Sequence, residues 1–450
     1  MNNANNLTSP RQLFSLTWPI FIELSLQMLV GNVDQIMISR FSQNSVGAIG
    51  NANQIINVLI LTFSVISMAS TILITQYLGS GNQRRVYEIY TISLFVNVIF
   101  SFIISVIILF FNKPLFILMR VPQEILQESS VYISIIGGFM VLQGIYLTFS
   151  SFLRANAMMK ESMIISIVIN VLNIAGNALL LYGVGSIPPL GVVGVAISSN
   201  FSRFIGIIMI VLIFIKRFGP CISLKYLIPF PWKQLKLILS IGVPSGGESL
   251  SYNFTQMVIQ GFANLFGTLV INAKVYCSMF AMLSYIFASS LSQACQIVVG
   301  YLIGARNMDG THRQVQLTLY LSIAASATIS LLLFLFHRPL FSIFTNDPNM
   351  LKLIGVVMLI EIPLEIGRAV NMTMVRSLQA AGDIKFPITI GIICMWAFAV
   401  GVGYFLGVVL GWGLAGIWLG MALDESIRAV CFILRWYRGK WRSIQLISQI

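Results

Sequence analysis

The feature that most constrains this chain is a run of about 20 apolar residues that recurs from one end to the other, the length needed to cross a hydrocarbon core of roughly 30 Å. Inside hydrocarbon every backbone N–H and C=O must be satisfied within its own segment, so such runs form helices. They are too long and too unbroken for the alternating strands of a membrane barrel. Only 9% of the residues are charged, against about 25% in a soluble globular chain. That leaves too little charge to coat soluble domains. The reading is an all-α polytopic membrane protein with twelve transmembrane helices.

The first six spans fall at roughly 13–38, 46–77, 88–111, 128–153, 162–184 and 191–216. The second six fall at roughly 235–262, 268–302, 313–337, 350–376, 386–409 and 412–436. The first stretch is longer than a signal-peptide core and contains Glu23 and Asp34, so it is expected to remain as a membrane helix. The expected domains are an N-terminal six-helix bundle (1–217), a cytoplasmic linker (218–234) and a C-terminal six-helix bundle (235–450).

The net charge of +13 would point a soluble protein toward nucleic acid. Here it marks cytoplasmic loops, where lysine and arginine concentrate. With the N-terminus inside, the inner segments hold Arg84, Arg85, Arg154, Lys160, Lys216, Arg217, Lys225, Arg306 and Arg313. The outer ones hold few, among them Arg40, Lys113 and Arg120. Both termini are therefore expected in the cytoplasm, with the chain in the inner or plasma membrane.

The halves repeat at an offset of 225 residues: Pro19 matches Pro244, Glu23 matches Glu248, Asn82 matches Asn307, and Lys160 matches Lys385. Gly79 matches Gly304, and Pro114-Leu115-Phe116 matches Pro339-Leu340-Phe341. Rare residue types thus coincide at helix ends and kinks. Six spans per repeat leave both halves pointing the same way, related by a pseudo-two-fold axis along the membrane normal, an arrangement that supports alternating access.

Several function classes lose support. The five cysteines are scattered, with no Cys-x-x-Cys pair, and only His312 and His337 are available, so no resident metal centre is expected. No Gly-x-x-x-x-Gly-Lys segment is present, so ATP does not drive the chain from within. Clustered catalytic groups are missing, so it is read as a transporter rather than an enzyme, working without a cofactor and as a monomer.

The residues resemble those of the multidrug and toxic compound extrusion family over nearly the whole chain. The resemblance is carried by Pro19 with Asn32-Val33-Asp34, by Gln76 to Asn82, and by Gly191 to Ala196. It continues through Gly242-Val243-Pro244, Leu302 to Asn307, and Gln379 to Lys385. It implies export of organic, often cationic, compounds in exchange for protons or sodium ions, and a V-shaped cavity between two six-helix bundles.

Asp34 is the sharpest candidate, because an ionisable group at membrane depth is costly and points to function. The structural alternative pairs it with Arg40. In the resembled family this aspartate faces polar groups on the fifth and sixth helices, which correspond here to Asn173, Asn177 and Ser199. Asn173 and Asn177 are four apart and share a helix face. Many relatives carry Asp where this chain has Asn177, so the coupling ion stays open, with Asp34, Asn173 and Asn177 the candidate sodium ligands.

Glu23 and Glu248 are repeat mates, each four residues after a proline, and either could bind a cationic compound or a proton. Other branches of the family place their seventh-helix glutamate one turn later, at the position of Tyr252. Glu361, Glu365 and Arg368 sit on the tenth span, where Glu365 and Arg368 can pair. These six are candidates for the substrate cavity. Asp424, Glu425 and Arg428 read as a structural network. The competing reading is a flippase for lipid-linked substrates. A large anionic headgroup would call for several cavity Arg or Lys, whereas the mid-span charges are mainly Glu and Asp, with Arg203 and Arg368 as exceptions.

Overall fold

The structure, a computed structural model, describes residues 9–183, 188–444 and 446–447. The extreme termini, expected in the cytoplasm, lie outside the described residues. The described chain is helical, with no strand among the described residues.

Twelve long elements follow in order: α1 (Pro10–Phe41), α2 (Gln43–Gly79), α3 (Gln83–Leu118), α4, α5 (Met159–Tyr182) and α6 (Gly191–Phe218), then α7 (Trp232–Asn264), α8 (Thr268–Gly304), α9 (Met308–Leu335), α10 (Pro348–Ala380), α11 (Lys385–Val409) and α12 (Gly413–Tyr437). Helix α4 is broken into Gln123–Gly138 and Met140–Ala155, which meet at 47°. Eight of the twelve are long and apolar enough to cross a bilayer alone, and the α4 pair makes a ninth.

The remaining three, α7, α10 and α12, fall short because they carry the polar and charged groups of the second half. Glu248 lies on α7, Glu361, Glu365 and Arg368 on α10, and Asp424, Glu425 and Arg428 on α12. On α10 and α12 most of these groups are buried, turned inward as lipid requires of charged side chains.

The internal repeat is visible in the backbone. Asn82 caps α3 by accepting from the Arg85 amide at 3.3 Å, and Asn307 caps α9 by accepting from the Gly310 amide at 2.9 Å. Both satisfy an orphan donor of a first helical turn. Left-handed residues recur at the same offset, Gly81 (φ 74°) with Arg306 (φ 58°) and Ala157 (φ 60°) with Gly382 (φ 95°).

By compactness the chain forms two units. One contains the chain through Phe21, Gly79–Gly81 and Val243–Ile450, and the other contains Ile22–Leu78 and Asn82–Gly242. The boundaries of these units fall within α1 and α7, and the segment 218–234 lies in the second unit. That segment holds a short turn, Leu224–Leu227, and is docked along α3. The Ser223 amide donates to Thr91 Oγ1 at 3.4 Å, and Gln234 Nε2 donates to Glu88 Oε2 at 2.8 Å.

The N-terminal unit packs around Phe63, Phe116, Ile133 and Met140. The C-terminal unit packs around Phe341, Ile354, Ile417 and Trp418, with a second cluster at Val299, Leu378, Phe432 and Trp436. In α8 83% of the apolar window is buried, so protein encloses that stretch of the helix. Helices α11 and α12 approach closely where Gly403 and Gly407 face Gly416 and Gly420, the small-residue spacing that lets backbones touch in membranes. Beside this contact α11 widens from α-helical to π-helical turns over Met395–Val402 and Phe405–Val409.

Candidate functional site

In the N-terminal unit Asp34 lies on α1, half-buried. Asn177 of α5 donates through Nδ2 to Asp34 Oδ1 at 2.8 Å and lies 3.4 Å from Asn173 Oδ1. Asn173 Nδ2 donates to Ser199 Oγ of α6 at 3.0 Å, and Ser198 Oγ donates to the Asn173 carbonyl at 3.0 Å. The four residues expected from sequence are therefore joined in one chain of bonds, Asp34–Asn177–Asn173–Ser199. Helices α5 and α6 come close at this level because Gly176 stands opposite Ser198.

Arg40 is exposed and makes no ion pair with a described residue, so the alternative pairing of Asp34 with Arg40 is not formed. Asn177 is 1% exposed, and its Oδ1 is buried with no hydrogen-bond partner. An amide oxygen left this way calls for a donor or a cation. Tyr182 OH ties the far end of α5 to the Met37 carbonyl of α1 at 2.7 Å, which holds the two helices in register.

Asp34 borders a cavity of about 300 Å³. Its polar lining comes from Gln27, Asn32, Gln35, Asn53 and Tyr132, and its apolar lining from Met28, Ile38, Ile49 and Val195. Apolar walls with a few convergent polar groups suit an organic ligand. Of these lining residues only Asp34, and Asn32 through its motif, stood out in the sequence. Gln27, Gln35, Asn53 and Tyr132 had no distinguishing pattern.

The other candidates have different surroundings. Glu23 is 2% exposed and accepts from Arg154 Nη2 at 2.6 Å, an ion pair within the N-terminal unit. In the C-terminal unit Glu365 pairs with Arg368 as the spacing predicts. Arg368 Nε also approaches Glu425 Oε1 at 3.7 Å, and Arg428 binds Asp424 at 2.6 Å and Glu425 at 3.0 Å. Asn371 Nδ2 donates to Glu425 Oε2 at 2.6 Å. Glu361 is 2% exposed and accepts from Trp418 Nε1 at 2.5 Å. Glu361, Glu365 and Arg368 thus belong to one buried network on α10 and α12. Glu248 is half-buried beside Gly391 of α11, while Tyr252 is exposed.

No group of three or more His, Cys, Asp or Glu able to hold a metal ion occurs among the described residues. The Asp34 cluster therefore offers one carboxylate and neutral oxygens, a donor set suited to a monovalent ion or a proton.

Comparison with known proteins agrees with this architecture. The MatE family profile matches residues 19–179 and 244–405, stretches that include Asp34, Asn173, Asn177, Glu248 and Glu361. The chain is 37% identical over 429 residues to the transporter YisQ of Bacillus subtilis, covering 95% of this chain and 94% of the relative. It is 26% identical over 444 residues to a probable multidrug resistance protein, NorM, of Thermotoga maritima, covering 98% and 94%. The fold matches a crystal structure of a MATE protein in a bent conformation with a TM-score of 0.89 at 19% identity, covering 100% of this chain and 99% of that one. With both halves matched and a 37% identical relative aligned nearly end to end, the chain belongs to the multidrug and toxic compound extrusion family of membrane transporters.

Proposed function

We propose that this chain is a secondary multidrug efflux antiporter, exporting organic, often cationic, compounds across the cell membrane in exchange for protons or sodium ions. The observation that carries the reading is Asp34 beside a cavity, bonded to Asn177, whose own buried oxygen has no partner. A proton on Asp34 would supply a donor to that oxygen, and a sodium ion would supply a positive charge. Either would compete with a cationic compound for the same carboxylate, which is the elementary requirement for exchange. The relatives named as probable multidrug resistance proteins support the substrate class.

In this reading the functional halves are 1–217 and 235–450, joined by 218–234, with both termini in the cytoplasm and one chain as the working unit. Glu23, with its Arg154 partner, and the α10–α12 network hold the two bundles in shape. Glu248 and Tyr252 are the remaining cavity candidates.

The test is transport by the reconstituted protein in liposomes with a fluorescent organic cation. A proton gradient and a sodium gradient are compared for the native chain and Asp34→Asn. Transport driven by one gradient and lost in the variant supports the proposal. Equal transport by the variant removes Asp34 from coupling. No cation transport under either gradient transfers the weight to the flippase for lipid-linked substrates.

A further inference from the structure

Between α6 and α7 the chain runs along the side of α3 instead of looping away from it. The Ser223 amide donates to Thr91 Oγ1. Tyr226 and Phe230 set their rings against Tyr87 and Phe95, each pair 6.3 Å apart between centroids. Thr91 and Phe95 lie eight and twelve residues beyond Gln83, where α3 begins, or about 12 and 18 Å along the helix. From Ile89 to Phe111 α3 carries no charged residue. The connection therefore reaches past the charged first turns of a spanning helix to the level where that helix becomes apolar.

Its outward side is apolar. Leu224, Ile228 and Trp232 recur every four residues and are 72%, 80% and 70% exposed, while Leu227 and Gln234 are buried. An exposed apolar row rimmed by charge marks an interaction surface, and tryptophan favours the boundary between lipid and water. Around the row stand five exposed cations, Lys216, Arg217, Lys225, Lys233 and Lys236. No Asp or Glu occurs from 162 to 247, and none of the five pairs with a described carboxylate. Glu88, the carboxylate that Gln234 reaches, is already engaged by Arg85 at 2.6 Å and Arg84 at 3.5 Å. The surface thus joins an apolar row to a basic rim that has no counter-ion among the described residues.

We propose that the connection between α6 and α7 is a binding surface for anionic phospholipid. Leu224, Ile228 and Trp232 enter the boundary of the acyl chains, and Lys225, Lys233 and Lys236 hold headgroup phosphates. This is the division of labour of an interfacial amphipathic segment, with apolar area buried in lipid and basic side chains drawn to anionic headgroups. A zwitterionic headgroup carries its own cation beside the phosphate and cannot neutralise the rim, whereas an anionic one can. An acidic soluble protein would match the charge, but it has no access to a row set beside the uncharged stretch of a spanning helix.

The experiment measures fluorescence quenching of the purified full chain in phosphatidylcholine vesicles that contain graded fractions of brominated phosphatidylcholine or brominated phosphatidylglycerol. Bromine on an acyl chain quenches an indole that it touches. The signal read is the part of the emission that Trp232→Phe removes, so the other six tryptophans do not enter. Both lipids should quench it, the anionic one with an apparent affinity at least about threefold higher. The triple variant Lys225→Gln/Lys233→Gln/Lys236→Gln, checked for folding by gel filtration, should keep the quenching and lose the preference. Equal quenching of the native chain by the two lipids overturns the proposal, and so does a preference that survives in the triple variant. Quenching by neither lipid places Trp232 against water or protein and overturns it as well. Should the triple variant fail to fold, salt decides: the native preference should fall in 1 M salt, where the screening length is about 3 Å, and a preference unchanged by salt overturns the proposal.

Discussion

Asn177 gives its amide N–H to Asp34 Oδ1 at 2.8 Å, while its own Oδ1 stays buried without a partner. The amide is thus a fixed donor to the carboxylate. A hydrogen bond to a charged group contributes about 1.5–3 kcal/mol. Asn177→Ala is therefore expected to lower gradient-driven transport by roughly tenfold or more, with little loss of folded protein. Transport at the native rate in Asn177→Ala would show that the bond does not matter to the cycle.

The Glu23–Arg154 pair makes a different prediction. Glu23 is 2% exposed and Arg154 24% exposed by side chain, with 2.6 Å between them. Removing one partner of a buried pair costs about 3–5 kcal/mol, and the partial exposure of Arg154 moves the expectation to the lower end. Glu23→Ala should lower the thermal midpoint in detergent clearly. Glu23→Leu combined with Arg154→Leu should recover much of the loss, because no unpaired charge is left. An unchanged midpoint in Glu23→Ala would show that the pair contributes nothing to stability.

The twelve helices were legible because apolar length is a strong signal and because capping residues such as Asn82 and Asn307 stand at helix starts. Asp34, Asn173, Asn177 and Ser199 were legible through the family resemblance, which implied that they meet. The partners were less accessible. Arg154 reads as a loop cation in sequence, yet it closes onto Glu23 131 residues away. Arg203 reads as an exception in an acidic set of mid-span charges. The repeat sets Ser199 and Asn200 where Asp424 and Glu425 stand in the second half, and a repeat found by its matches does not draw attention to its mismatches. Gln27, Asn53 and Tyr132 converge on the cavity from α1, α2 and α4, a convergence that no linear pattern records.

The contact between α11 and α12 predicts a strong size dependence. A Cβ added at Gly420 would lie 2.5 Å from the Gly403 Cα and 2.6 Å from its nitrogen, so backbone would have to move. Overpacking of this kind costs about 1–3 kcal/mol. Gly420→Val should lower the thermal midpoint, whereas Gly247→Ala on α7, with nothing within 4 Å of its added carbon, should leave it level or slightly higher. Similar responses at the two positions would refute the close approach.

Cys221, in the segment after α6, predicts a pH dependence. Burial pushes its thiol from 9.0 up to about 11, because a thiolate is poorly solvated there. The reactive form is the thiolate, so it is scarce near neutrality and grows only as the pH climbs toward 11. In a variant retaining Cys221 alone, maleimide labelling should be slow at pH 7 and accelerate with rising pH. Rapid labelling at pH 7 would contradict the burial.

Arg428 offers the sharpest contrast with Arg203. It is 7% exposed and bonded to both Asp424 and Glu425, so its charge is shared between two carboxylates on its own helix. Arg428→Met would leave those two groups facing each other without their shared cation. The expected destabilisation is about 3–5 kcal/mol, read as a large fall in the thermal midpoint. Adding Asp424→Asn removes one of the two negative charges and should restore part of the midpoint. The same pairwise logic does not extend to Arg203, which stands 225 positions before Arg428 with Ser199 and Asn200 in place of Asp424 and Glu425, so Arg203→Gln should leave the midpoint nearer to native. If Arg428→Met and Arg203→Gln destabilise equally, the two arginines have the same structural role, and the distinction drawn from their neighbours fails.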